Sequence, residues 1–355
     1  MKKKNVDILL IAVAVLLNAC SSDDSGAQTD SMDHASTGKT VQLVSYISPL
    51  VEKELSHRAA PTGFSPYTPD PDKTTTMGIY MLLQSDWDFP EEKRITYNTG
   101  TGKWNASFEV EAGKTYSVYG YMPKVGGVNS SLTAVTSDGA TLSITGIKPV
   151  TTDDICIITG VKDTDEGLKE GLLSWKWPIS SEDENYKIHI LMDHLYAAAQ
   201  FRLKIDAEYA ALRTIKLKTM TLSTNKGSVD ATVTLKHNTT GASPVSRATY
   251  TVSDGSDAVV VFDDDQGIAL DVTTPLAINA CFAPTLSANL TMITTYDVYD
   301  RKGDLIRQNC TATNKLPNLE AVRGQRVQLN MTVNPTYLYV LSDPDLDTPT
   351  IKIEN

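Results

Sequence analysis

The chain has 355 residues, of which 41% are hydrophobic and 21% charged, and its formal net charge is −11 at pH 7. Beyond the first few residues no cluster of lysine or arginine occurs, and an acidic chain without a basic patch argues against nucleic acid as a partner. The length favours two folded domains over one.

The N-terminus has the pattern of an export signal. Lys2, Lys3 and Lys4 are followed by an apolar run over residues 8–17 and then by Leu-Asn-Ala-Cys at residues 17–20. A positive start, a short apolar core and a small residue before the cut are typical of a secretory signal, here residues 1–19. The apolar run is too short to span a bilayer, which takes about 20 apolar residues.

Cys20, directly after this signal, resembles the lipidated cysteine of bacterial lipoproteins. The resemblance implies that the thiol of Cys20 is acylated, with palmitate among the acyl chains, and that the precursor is held in the outer membrane. An ordinary secretory signal with a chance cysteine is the alternative. Residues 21–24 (Ser-Ser-Asp-Asp) are similar to the surface-export signal of Bacteroidetes lipoproteins, and they also suit a solvated tether.

Strand patterns begin after a flexible tether. Residues 21–38 contain almost no large apolar side chain, and the first strand pattern is at residues 41–47. Residues 59–75 are rich in proline and threonine and predict an exposed loop. Short apolar or alternating runs then recur with turn residues between them, at 77–83, 104–110, 116–119, 142–147, 155–158, 201–205, 215–219, 259–262, 276–282 and 327–333.

These runs predict an all-β fold of the sandwich or barrel type. Helical periodicity is nearly absent, although residues 206–212 allow one or two turns. The runs at 259–262 and 276–282 have the composition of buried strands. The polar stretch 180–185 is a candidate seam between two halves of the chain.

Three cysteines remain after Cys20, namely Cys156, Cys281 and Cys310. An odd number cannot pair completely, and each lies in an apolar or β-like stretch. Buried free thiols are therefore the simpler interpretation. A disulfide between Cys281 and Cys310 stays open as an alternative, because the space outside the inner membrane is oxidising.

Four stretches, taken in order, resemble the fimbrillin family, the subunits of Bacteroidales type V pili. They are residues 113–121 (GKTYSVYGY), 192–201 (MDHLYAAAQF), 324–327 (GQRV) and the tail at 337–341 (YLYVL), and they add to the lipoprotein signal. The resemblance covers nearly the whole chain. It implies two tandem, transthyretin-like β-sandwich domains, which we expect at residues 59–185 and 186–355. It also implies export as a lipoprotein, proteolytic removal of an N-terminal strand, and polymerisation by strand exchange for adhesion.

Arg58 is the candidate cleavage site. It lies between the first strand pattern and the proline-rich loop, where extended chain is open to a protease. The resemblance implies that an arginine-specific protease cuts between Arg58 and Ala59. Residues 20–58 would then be a lipidated propeptide containing the tether and the first strand. An ordinary surface arginine is the alternative.

The C-terminal tail is the candidate donor strand for the next subunit. We expect the strand at 327–333 to end at Asn334 and Pro335, because proline cannot donate to a strand ladder. The chain is β-like again beyond this point, and an apolar segment at a chain end can add to an open sheet edge. The alternative is that the tail packs on its own domain as a last strand. The predicted donor residues are Tyr337, Tyr339, Leu341, Ile351 and Ile353.

The sequence predicts neither catalysis nor a cofactor. Asp193 and His194 are adjacent, and neighbours on a strand point to opposite faces, so a catalytic pair is disfavoured and a structural histidine is expected. The same argument disfavours a metal pair of His189 and His194. Acidic turns at 263–265 and 343–347 lack the spacing of a calcium loop. No hydrolase, phosphate-loop or zinc-protease motif is present, so we expect neither an enzyme nor a metal site.

We therefore expect a structural pilin, first an outer-membrane lipoprotein precursor and then part of a cell-surface fimbrium, whose partners are other fimbrial subunits. Two alternatives stay open. One is an anchor subunit of the same system that is not cut and keeps its lipid. The other is a surface lipoprotein that binds glycans or other ligands, with sugar rings stacked on tryptophan, although tryptophan is commoner in a β core. The tryptophans are Trp87, Trp104, Trp175 and Trp177.

Overall fold

Strands dominate the fold, as predicted. The computed structural model describes residues 39–40, 42–52, 63–69, 74–87, 90–108, 110–111, 113–162, 171–176, 187–237, 243–316, 319, 322–336 and 345–354. The expected all-β class is confirmed. Within these ranges no helix has the length and apolar character needed to cross a membrane.

The N-terminal part contributes short strands separated by turns, and the predicted runs at 77–83, 142–147 and 155–158 each fall within or overlap one of them. In chain order the strands are β1 Lys39–Thr40, β2 Gln42–Ile47, β3 Val51–Glu52, β4 Ser65–Pro66, β5 Thr76–Leu83, β6 Lys93–Asn98, β7 Lys103–Asn105, β8 Ser107–Phe108, β9 Thr115–Met122, β10 Asn129–Thr136, β11 Gly139–Ile147, β12 Val150–Thr151, β13 Cys156–Lys162 and β14 Ser174–Lys176.

The described residues of the C-terminal part form longer strands and two short helical pieces. The predicted helical turn is confirmed as α1 Ala207–Ala210, which Asp206 caps by accepting a hydrogen bond from the Tyr209 amide at 2.9 Å. A 3-10 helix spans Pro284–Asn289. The strands are β15 Lys187–His194, β16 Ala197–Ile205, β17 Thr214–Lys236, β18 Val245–Ala269, β19 Leu276–Phe282, β20 Thr291–Tyr299, β21 Leu305–Lys315, β22 Gln325–Thr336 and β23 Asp345–Glu354.

The first sheet closes on itself. Its strands follow the order β13-β15-β2-β7-β6-β5-β9, and β9 pairs back with β13, so these seven described strands form a barrel. Two further strands are attached, β14 to β9 and β4 to β2. The barrel therefore contains β2, which lies before Arg58, and β15, which lies beyond the predicted seam.

Two open sheets and a short two-stranded sheet, in which β1 pairs with β8, complete the described fold. The second sheet has the order β10-β11-β17-β20-β21, with β18 on β17, and the third has the order β12-β19-β16-β22-β23, with β3 on β22. Buried apolar side chains from the three larger sheets form one continuous core. Each of the three larger sheets combines strands from both sides of residue 185. The predicted pair of tandem sandwiches, with its boundary between 185 and 186, stays a prediction.

Two local expectations were wrong. The strand predicted to end at Asn334 and Pro335 continues to Thr336, and the pairing between β22 and β23 shifts register between Asn334 and Thr336. An irregularity in the ladder accommodates the missing proline N–H there. The run at 259–262 is not a buried strand. It belongs to β18, whose one partner among the described strands is β17, and Val260 is 50% exposed.

Candidate functional site

The N-terminal segment, defined here as residues 42–52, is part of the folded body and not an appendage. Its first strand, β2, pairs in parallel with β15 from Gln42–Lys187 to Ile47–Met192. On its other side, β2 pairs with β7 at Leu43 and with β4 at Tyr46 and Ile47. β2 thus lies within the wall of the barrel and is paired with neighbouring strands along both of its edges.

The inward side chains of β2 enter the core. Leu43 is 1% exposed, and Ser45 is 4% exposed. The indole N–H of Trp104 donates to the Ser45 hydroxyl at 2.9 Å. A buried indole needs such a partner, so this contact ties β7 to β2 beyond the apolar packing.

Beyond β2, residue Ser48 is bonded through three separate atoms. Its amide donates to the Met192 carbonyl at 2.9 Å, and its hydroxyl donates to Oδ1 of Asp193 at 2.7 Å. Its carbonyl oxygen lies 2.7 Å from Nε2 of His194. The end of β15 therefore surrounds this one residue of the segment.

His194 is buried between two hydrogen-bond acceptors. Its Nδ1 lies 2.6 Å from Oδ2 of Asp154, and its Nε2 faces the Ser48 carbonyl. Burial disfavours the charged ring, but the hydrogen bond and negative charge of Asp154, with the Ser48 carbonyl and Asp193 adding to them, raise the pKa of His194 above its ordinary value. Asp193 does not orient the ring, because its Oδ1 accepts from the His194 backbone amide at 2.9 Å.

Asp154, Cys156 and His194 are also a donor set that could bind a metal, since their ligand atoms lie within 4.8 Å of one another. The geometry fits a hydrogen-bonded pair better. Tetrahedral bonds of about 2.0–2.2 Å separate two ligand atoms by roughly 3.3 Å, more than the 2.6 Å between Nδ1 and Oδ2. Burial, with the charge of Asp154, raises the pKa of the Cys156 thiol well above its ordinary value, so this thiol stays protonated.

The second strand of the segment, β3, joins the third sheet. Val51 and Glu52 pair in parallel with Gln325 and Arg326 of β22. The Glu52 carboxylate forms an ion pair with Arg326 and accepts from Gln328 Nε2 at 3.2 Å. The segment is therefore fixed at both ends, in the barrel by β2 and on β22 by β3.

A tight turn positions β22 to receive β3. Gly324 has a φ of +72°, a conformation that glycine adopts at little cost. Its carbonyl accepts from the Val51 amide at 3.0 Å, and its amide donates to the Tyr196 carbonyl at 3.0 Å. The preceding residue, Arg323, bonds the Asp193 carboxylate and the His194 carbonyl. The GQRV motif thus marks the place where β15, β22 and the N-terminal segment meet.

The described tail is a strand of its own chain. β23 runs antiparallel to β22, with Ile351 opposite Val333 and Ile353 opposite Met331. Ile351 is 7% exposed, and its carbonyl accepts from Asn314 Nδ2 at 2.8 Å. This pairing is the alternative to strand donation, and the donor role stays a prediction.

The N-terminal segment and the tail share one edge of β22. β16 pairs with residues 326–333 along one side of β22, so β3, at 325–326, and β23, at 330–336, must both lie on the other side. They lie end to end there. If the segment left, the part of the β22 edge that β3 occupies would become unpaired, next to the tail.

Several predicted site residues lie outside the described ranges. This applies to the lipidation residue Cys20, to Arg58 and Ala59 at the predicted cut, and to the donor residues Tyr337, Tyr339 and Leu341. Their predicted roles stay predictions.

Two of the cysteines and two of the tryptophans considered in the sequence analysis are buried in the structure. Cys156 and Cys281 are buried free thiols, so Cys281 is not bridged to Cys310, which is half-buried. Trp104 and Trp175 are buried at 3% and 7% exposure and are not available for stacking on sugar rings.

Sequence reasoning missed Asp154 and Arg323, which bond His194 and Asp193, two residues that contact Ser48 of the segment. Neither belongs to a recognisable motif. The family resemblance did point to this region, because two of its stretches, residues 192–201 and 324–327, contain residues that bond the N-terminal segment.

Comparison with known proteins gives structural likeness at low identity. No family model matches the chain, and no curated protein matches it significantly. A candidate cell adhesion protein from Bacteroides fragilis shares 11% identity at a TM-score of 0.44, covering 90% of this chain and 97% of its own. A candidate cell adhesion protein from Bacteroides uniformis shares 14% identity at a TM-score of 0.38, covering 89% and 98%. A fimbrial protein from Bacteroides vulgatus shares 13% at a TM-score of 0.34, covering 89% and 98%.

The chain is thus similar, at low identity, to solved structures that are described as candidate cell-adhesion proteins and as a fimbrial protein of Bacteroides.

Proposed function

We propose that this chain is a non-enzymatic subunit of a type V fimbria. It is exported as a lipoprotein acylated on Cys20, cut between Arg58 and Ala59 by an arginine-specific protease, and polymerised by strand exchange for adhesion. The observation that supports this best is the N-terminal segment, which supplies strands to two sheets of the body although it precedes the predicted cut.

The position of β2 explains why a cut would act as a switch. While β2 is present, the barrel is closed and β15 has a partner on each side. Once β2 leaves, β15 keeps unpaired backbone groups and the space of Leu43 becomes an apolar groove. Unpaired edges of this kind readily accept a strand from another chain. Cleavage would therefore turn a closed sheet into an acceptor.

The position of β23 suits a donor. It lies at the end of the third sheet, so it can leave β22 without separating any other pair of strands in that sheet. In the proposal the tail leaves β22 and enters the groove of the next subunit. The pairing with β22 is then the resting arrangement of an unassembled subunit.

The cut is tested in cells. We expect the N-terminal sequence of the assembled protein to begin at Ala59. Arg58→Ala should accumulate the long, lipidated form and remove filaments from electron micrographs, and Arg58→Lys should do the same if the protease requires arginine. Normal filaments from Arg58→Ala would place the switch elsewhere. A wild-type chain that keeps its lipid on fimbriated cells would indicate the anchor role instead.

Strand donation is tested by fixing the tail to its own sheet. Val333 and Ile351 are directly opposite in the antiparallel pair, within the usual reach of a disulfide. The double variant Val333→Cys, Ile351→Cys should assemble when reduced and stay monomeric when oxidised. Ile351→Cys alone is the matched control and should assemble under both conditions. Polymerisation of the oxidised double variant would exclude this tail as the donor.

A further inference from the structure

His194 bonds with both ring nitrogens to groups that accept hydrogen bonds. Nε2 faces the Ser48 carbonyl oxygen at 2.7 Å, and Nδ1 faces Oδ2 of Asp154 at 2.6 Å. A carbonyl oxygen can only accept, and an ionised carboxylate can only accept. Both contacts are satisfied together only when both nitrogens carry a proton, that is, when the ring is charged.

We propose that charged His194 is a pH-sensitive latch, which bonds the N-terminal segment at Ser48 and releases it as the pH rises. The physical basis lies in the contacts above. Its biological role, to gate departure of the segment after cleavage, rests on the proposed function. A neutral ring can donate to only one of its two acceptors, and the stronger, ionised acceptor is Asp154. The Ser48 carbonyl therefore loses its partner first.

Of the titratable groups around the His194 ring, Asp154 is the dominant charge partner. Asp193, on the same strand, is bonded by Arg323 from the turn before β22, so its charge is largely compensated. Cys156, on β13, lies 3.9 Å from Nδ1 and is neutral because burial raises its pKa. Burial also raises the pKa of Tyr250, on β18, to about 12, so this phenol is neutral over the relevant range. Asp154, on the loop before β13, is the remaining charge that faces the ring.

The sign of the effect follows from the raised pKa of His194. A basic group whose pKa is higher in the bonded state favours that state most at a pH below its free value, ordinarily about 6.5. This contribution is lost as the pH rises through the raised value. Retention of the segment is therefore strongest in mild acid and weakest in mild alkali.

The experiment uses the full chain with a recognition site for a sequence-specific protease inserted between residues 58 and 59. This cut does not depend on whether cells process Arg58, so failure of the latch and failure of the proposed function are distinguishable. After cleavage, the rate at which the N-terminal fragment separates from the body is measured by gel filtration and mass spectrometry. We expect release at about pH 9 to be at least roughly tenfold faster than at about pH 6, because a charged hydrogen bond is lost.

Three variants complete the test. His194→Gln should release the fragment quickly at both pH values. Asp154→Asn replaces the ionised acceptor by an amide that can donate to unprotonated Nδ1, so the neutral ring still donates from Nε2 to Ser48 and release should be slow at both pH values. His189→Gln is the matched control, because His189 on the same strand bonds Tyr46 of the same segment at 3.2 Å: its loss should raise release at both pH values alike and keep the wild-type ratio between them.

Equal wild-type release at both pH values would overturn the proposal, as would loss of the pH dependence in His189→Gln. If His194→Gln does not fold, Asp154→Asn decides, because its side chain is 30% exposed and its replacement is conservative. An unchanged pH dependence of release in Asp154→Asn contradicts the latch.

Discussion

The indole of Trp104 and the hydroxyl of Ser45 form a hydrogen bond of 2.9 Å inside the barrel, across 59 residues of sequence. Trp104 is 3% exposed and Ser45 is 4% exposed, so neither group can turn to solvent instead. The bond joins the body of the protein to the N-terminal segment that precedes the predicted cut.

Ser45→Ala should lower the free energy of unfolding, because the buried indole N–H loses its acceptor. A buried donor left without a partner costs about 1–3 kcal/mol. Urea denaturation of the uncut chain measures the difference. Ser246→Ala, at an exposed hydroxyl on β18, is the control and should change the value by less than about 0.5 kcal/mol. Equal effects of the two substitutions would show that the indole bond adds nothing.

Gly139→Ala should destabilise the pairing of β11 with β17, which joins chain from both sides of the predicted domain boundary. Gly139 has a φ of +148°, and an added Cβ would overlap the carbonyl oxygen of Leu235. We expect a loss of at least about 2 kcal/mol, since both the strained φ and the overlap must be relieved. Thermal or urea unfolding provides the measurement. Gly126→Ala, where a Cβ meets nothing within 4 Å, is the control.

Cys156 and Cys281 should resist alkylation in the folded protein. Burial, with the charge of Asp154, raises the pKa of both thiols well above the ordinary value, and the reactive species is the thiolate. At about pH 8 we expect labelling at least about 100-fold slower than in concentrated urea. Peptide mass spectrometry after timed iodoacetamide treatment reports each site separately. Rapid labelling of Cys156 in the native protein would contradict its burial.

His237 should make the fold less stable in mild acid. Its Nε2 lies 2.8 Å from the Tyr119 hydroxyl, and burial lowers its pKa, with Asp138 opposing the shift. The unfolded chain then takes up a proton below about pH 6.5 that the folded chain does not, so stability falls as the pH decreases. Wild type should lose stability relative to His237→Gln between about pH 8 and about pH 5. His194 is present in both chains, so its opposite dependence cancels in the comparison. A constant difference between the two chains would show that His237 is not shielded.

Local pattern was sufficient to locate most strands. The run at 276–282 coincides with β19, and the run at 77–83 differs from β5 by one residue. Period-2 alternation and buried-type composition depend only on neighbours in sequence, so these features can be read without knowing any partner. The exposed run at 259–262 shows the limit, because composition does not reveal whether a strand lies inside a sheet or at its edge.

Composition and local periodicity by themselves determined the β class, the position of most strands and the export signal, and the resemblances of the sequence added the expectations of lipidation at Cys20 and cleavage at Arg58. Only the tertiary structure decided where the N-terminal segment goes: beside β15 in a closed barrel, with Ser48 bonded to His194 across 146 positions. Parallel pairing and the meeting of His194 with Asp154 depend on register and topology between distant strands. No local pattern encodes these, because the free energy that selects them arises only when the strands are packed together.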